Sequence, residues 1–123
     1  MPKLLEYEST VVERAKLGVP PSVREVTFVA FVVRLSGSDE FLHRYLLHNN
    51  VSTWIWTKSR PAMASRFPRL KRANQVAAEK EGAEVAVLFE TPRQFLVLPI
   101  EADLQSVDER HATRDAKQRL WLR

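Results

Sequence analysis

Two tryptophans and six cations crowd the stretch STWIWTKSRPAMASRFPRLKR, residues Ser52 to Arg72, which holds no carboxylate. Trp54 and Trp56 stand two apart, the spacing that puts both on one face of a strand. Lys58, Arg60, Arg66, Arg69, Lys71 and Arg72 supply the charge. Aromatic faces flanked by cations suit one kind of recognition: bases stack on the rings while Lys and Arg meet phosphates. The segment predicts a nucleic-acid-binding surface built from Trp56, Lys58, Arg60, Arg66, Arg69, Lys71 and Arg72. Against this stands the habit of tryptophan on alternate strand positions, which packs under helices more often than it faces solvent. On that ground at least one of the pair belongs in the core. Trp56, sharing its face with Lys58, is the better surface candidate.

The acid-free stretch runs further than this, through all 38 residues from 41 to 78, and adds Arg44, His43 and His48. All 15 acidic residues lie outside it, although the net charge is only 19 − 15 = +4. Such asymmetry draws anions from a distance. The anion can be a nucleic acid, or an acidic partner protein if the chain is an interaction or regulatory module. Binding to a protein would not track polyanion length.

Bond-making and bond-breaking chemistry finds less to work with. Gly18, Gly37 and Gly82 are the only glycines, too few and too scattered for a glycine-rich phosphate loop. Neither G-x-S-x-G nor H-E-x-x-H occurs, and with no cysteine there is no thiol nucleophile, thiolate metal site or disulfide. His43 and His48, five apart, do not share a helix face, and His111 with Asp115 reads as an i,i+4 surface contact. Glu84, Glu90, Glu101 and Asp103 border an expected hairpin. Gathered at one sheet end, they would suit a metal-dependent nuclease or phosphodiesterase. The acid-x-Lys spacing of such strands is missing there, the one Asp-x-Lys (Asp115 to Lys117) falling in an expected helix. The reading is therefore a non-enzymatic binding protein that needs no cofactor and no metal.

These residues must be held by a scaffold, and the pattern suggests one. Leu4, Tyr7, Val11 and Ala15 repeat at helical spacing over 2–17, with Pro2 in the first turn and Gly18, Pro20 and Pro21 beyond the end. Thr10 and Glu13 also fit a capping box that would start this helix later. Val23 to Leu35 reads as a strand, apolar on both faces from Phe28 to Val33 and so central and covered on both sides. Ser38 is the expected cap of a short helix through Phe41, Leu42, Tyr45 and Leu46, ending at Asn49-Asn50. Val51 to Lys58 is the tryptophan strand. A helix capped by Ser65 tolerates Pro68 in its first turn and stops at Gly82. Ala83–Glu90 and Gln94–Ile100 form a hairpin around Thr91-Pro92-Arg93, with Pro99 allowed near a strand end. A charged helix at about 102–120, with Leu104, Val107, Ala116 and Leu120 as its apolar positions, closes the chain.

The order α-β-α-β-α-β-β-α predicts a single α+β domain, a four-stranded mixed sheet with packed helices. Leu120 and Trp121 at the polar last helix suggest a homodimer contact. A start without a cleavable apolar stretch, and the lack of any run near 18 apolar residues, suggests a cytoplasmic protein.

One detail of the helix from Ser65 is physically awkward. Arg66, Arg69, Lys71 and Arg72 occupy its N-terminal half, and Glu79 and Glu81 its last turn. A helix dipole favours the reverse, each misplaced exposed charge costing about 0.3–1 kcal/mol. An anion docked at that N-terminus would resolve the conflict.

Overall fold

The computed structural model describes residues 3–100 and the strand at 119–122. Among these residues there are two α-helices, α1 (Glu6–Lys16) and α2 (Leu70–Ala77), and a 3-10 turn at Pro61–Met63. The strands are β1 (Thr27–Leu35), β2 (Glu40–His48), β3 (Val51–Lys58), β4 (Ala83–Glu90), β5 (Gln94–Pro99) and β6 (Arg119–Leu122). They form one sheet in the order β3-β2-β1-β4-β5-β6, antiparallel at every pairing. Helix and sheet are both present, but sheet dominates. The expected four-stranded mixed sheet is thus corrected to an antiparallel one with two more strands, and two of the expected helices change.

The first change is β2, expected as a helix. Two Asn with positive φ, Asn49 at 52° and Asn50 at 65°, make a two-residue turn that joins β2 directly to β3. Positive φ at both central positions is the turn whose twist matches a hairpin. The helix-like spacing of Leu42 and Tyr45 has its own cause. A β-bulge between Leu42 and Arg44 inserts one residue opposite the Trp56–Ile55 step. That extra residue turns a two-residue repeat into a three-residue one, so Leu42 and Tyr45 share a face of a strand.

The second change is α2, which begins at Leu70 rather than after Ser65. Pro68 disfavours helical backbone in the residue before it. Phe67 instead pairs with Phe31 by two backbone hydrogen bonds of 2.9 Å, and Ser65 N–H donates to Leu42 C=O at 2.7 Å. The 63–67 segment is therefore wedged between β1 and β2, which pair directly only near Arg34 and Phe41. The expected helix over 102–120 lies outside the described residues up to 118. Its last residues are strand: Leu120 and Trp121 sit in β6, opposite Leu96 and Phe95 of β5. That end is held by the chain's own sheet.

Two cores result. Val11, Val12 and Ala15 of α1 with Leu70, Ala73 and Val76 of α2 cover Phe31, Val33, Val87, Phe89, Leu96 and Leu98 on one face. On the other face Val32, Phe41, Ala64, Ala86, Leu88, Phe95 and Val97 form a second buried cluster. The turn at 61–63 contacts both β2 and β5, strands that are not neighbours, so the sheet curls around this second cluster. Phe31, Val32 and Val33 are fully buried, as a central strand covered on both faces requires. In α1 the buried stripe takes Glu8 where Tyr7 was expected, and Tyr7 is half exposed.

Candidate binding face on the aromatic hairpin

Glu8 answers the question posed by the cations of α2. Its carboxylate is fully buried and takes three hydrogen bonds. Leu5 N–H donates to Oε1 at 2.8 Å, Leu70 N–H to Oε2 at 2.9 Å, and Arg69 Nη1 to Oε1 at 2.7 Å. Burial alone pushes this carboxyl up. The two backbone N–H groups and the Arg69 guanidinium outweigh burial and hold it below its ordinary value. Arg69 Nη1 also donates to the Lys3 carbonyl at 3.0 Å. An anion does dock at the N-terminus of α2, and it comes from α1. Arg69, expected to contact phosphate, is committed to this internal clamp.

The remaining candidates divide by face. Tyr45, Trp54 and Trp56 are half-buried and pack along the helix-side core. The two indole rings stack nearly parallel, 8° apart with centroids at 5.8 Å, and Tyr45 meets Trp54 edge-on at 4.9 Å. Arg72 lies over the Tyr45 ring, its guanidinium carbon 5.6 Å from the centroid. By strand alternation Lys58 follows Trp56 on the same face. The result is a row, Arg72–Tyr45–Trp54–Trp56–Lys58, floored by the hairpin and walled on one side by α2. Lys71 is exposed on that helix.

Arg60 and Arg66 do not join the row. Both are exposed, but the chain between them crosses the sheet, with Ala64 in the second core. Nor is the row free of acid in space. Glu79 Oε1 accepts the Tyr45 hydroxyl at 2.8 Å and has Ser52 Oγ at 3.5 Å. Glu40 stands across the ladder from Lys58, and Asp39 is tied to Ser59. Folding returns carboxylates to both ends of a segment that lacks them.

Sequence reasoning missed Tyr45 as part of this surface because β2 was expected as a helix. The Asn49-Asn50 dipeptide between two apolar runs was the signal that would have placed it. Of the alternative carboxylates Glu84, Glu90, Glu101 and Asp103, only the first two are among the described residues, and these two do not come together. Glu84 and Glu90 lie at opposite ends of β4, six residues or about 20 Å apart. Glu84 is engaged by Arg34, whose Nε is 2.8 Å from Oε2, and Glu101 lies outside the described residues. His43 Nδ1 is 2.6 Å from the Met63 carbonyl, a contact that helps fix the wedge. Among the described residues no three His, Cys, Asp or Glu side chains are grouped to hold a metal ion, and no helix is long and apolar enough to cross a membrane. No family model, curated protein or solved structure matches the chain.

Proposed function

We propose that this protein binds single-stranded nucleic acid on the aromatic face of its β2–β3 hairpin. The observation that carries the reading is the partly buried stack of Trp54 on Trp56, extended by Tyr45 and Arg72. A ring face of this kind takes any unpaired base, and stacking contributes about 1–3 kcal/mol per base. Arg72, Lys71 and Lys58 supply phosphate contacts, with Arg60 and Arg66 adding to the surrounding field. Glu79 and Glu40 temper that field, so the affinity expected is that of sequence-independent binding, about 10⁻⁴–10⁻⁶ M at physiological salt. Base pairs in a duplex offer no free ring face, so single strands are preferred.

Fluorescence anisotropy of labelled single-stranded DNA, single-stranded RNA and duplex, titrated across about 50–200 mM salt, tests this. Preference for single strands, a fall in affinity with salt and quenching of tryptophan emission support the proposal. No binding at the lowest salt overturns it. A partner protein is then the better reading, favoured by the exposed apolar side chains Leu46, Leu47, Val51 and Ile55 on the same hairpin.

A further inference from the structure

β3 ends the sheet, and among the described residues no strand pairs with its outer edge. In a two-residue hairpin the closing pair, here His48–Val51, is the hydrogen-bonded one. Backbone groups then alternate, so the N–H and C=O of Ser52, Trp54, Trp56 and Lys58 point away from β2. Ser59 fits the alternation, its N–H turned inward to the Asp39 carbonyl at 2.6 Å.

Edges are commonly protected by prolines, charges, bulges or short length. This one has none of these along Val51–Thr57. It is eight residues long, the bulge lies in β2, and Lys58 at its end is its single charge. One side-chain row is Val51, Thr53, Ile55 and Thr57, all β-branched, and the other holds the two tryptophans. Val51 is 62% exposed and Ile55 41%, with Leu46 and Leu47 exposed beside them on β2.

We infer that the occupant of this edge is the β3 strand of a second copy, paired antiparallel about a two-fold axis through Ile55. Charge complementarity selects this partner: paired about Ile55, Lys58 of each copy comes beside Ser52 of the other, whose Oγ lies 3.5 Å from the Glu79 carboxylate. An acidic strand would be met by cations along the edge, and residues 51–57 carry none. Two copies meet there with no like charges opposed. With Ile55 opposite Ile55 of the second copy, Lys58 faces Ser52, and Trp54 faces Trp56. Each outward-facing pair exchanges two backbone hydrogen bonds. The consequence reaches the proposed binding face, on which this part of the inference rests. The two Trp54–Trp56 stacks fall on one side of a continuous sheet and make a single four-ring platform bordered by both copies of Arg72.

Sedimentation equilibrium of the full chain over a wide concentration range tests the pairing. Ile55→Lys sets two lysines against each other across the axis while leaving the tryptophan face alone, and Ile55→Glu does the same with two carboxylates. The parent should sediment at twice the chain mass, and each variant alone should dissociate several-fold more readily, up to about fivefold. Mixing the two variants should restore the dimer, which also shows that both are folded. A parent that stays monomeric at the highest concentration overturns the inference, as does a dimer indifferent to both substitutions. Oligonucleotide binding by the same samples keeps the two ideas apart. A dimer that binds no single strand removes the proposed function and leaves the pairing standing. A monomer that binds single strands does the opposite.

Discussion

Arg69 and Arg72 are three residues apart at the start of α2, carry the same charge and meet opposite fates. Arg69 turns to the buried carboxylate of Glu8, where it helps join α1 to α2. Arg72 lies over an aromatic ring at the rim of a half-open face. One helix end thus meets two environments: a buried structural clamp, and the border of a partly buried aromatic row. What separates them is the neighbour that the fold supplies. A cation beside a desolvated anion is held by a strong local interaction, whereas a cation over a ring in solvent is held weakly and stays available.

The clamp side should give the larger effects. Glu8→Ala leaves the Leu5 and Leu70 N–H groups without their acceptor and removes the partner of Arg69. It should lower the unfolding free energy by about 3 kcal/mol in urea denaturation. Glu8→Gln keeps one acceptor oxygen but turns an NH₂ group toward a donor on the other side, so it should lose less than Glu8→Ala without being neutral. The same carboxylate sets a pH response. Its folded pKa is depressed, so its contribution is full above the unfolded value, near 4.5, and is lost as pH falls below that value toward the folded one. Thermal melts from pH 6 to pH 3 should therefore show a drop in the parent that is shallower in Glu8→Gln. Equal slopes would mean that other carboxylates govern acid unfolding.

On the open side, stability should change little and binding should change more. Trp56→Leu retains apolar cover for the core and removes the stacking surface. Single-strand affinity should fall about 5- to 100-fold by anisotropy, with unfolding free energy altered by no more than about 1.5 kcal/mol. If affinity is unchanged, the tryptophan row is a core feature and the binding face lies elsewhere. The smallest effect is expected for Tyr45→Phe, which removes the exposed hydrogen bond to Glu79 and the longer contact with Ser52 Oγ, and leaves the ring under Arg72. Its cost should stay below about 1 kcal/mol, measured by the same denaturation.

How far the sequence reveals this molecule depends on where the governing interactions are local. The central strand around Phe31 to Val33 and the Ala83–Pro99 hairpin are legible because apolar pattern and turn residues act within a few positions. The tryptophan strand and its two-residue alternation are legible for the same reason. The strand β2 is obscured by its bulge, a tertiary feature that mimics helical spacing at Leu42 and Tyr45. The truncation of α2 depends on Phe67 pairing with Phe31, 36 residues away in the chain. The inverted charges of α2 do signal an anion, but nothing near them names Glu8, which lies 61 residues before Arg69. Within the site, residue types are visible in advance, while their division between inward and outward roles is a property of packing.

The most direct test compares Arg69→Gln with Arg72→Gln in the dependence of single-strand affinity on salt concentration. The clamp-and-face account predicts that Arg72→Gln lowers the magnitude of the salt slope by about 0.7, the value of one lost phosphate contact. It predicts that Arg69→Gln leaves the slope unchanged and lowers the unfolding free energy instead. Equal losses of slope from both variants would contradict it, because Arg69 would then be meeting phosphate rather than Glu8.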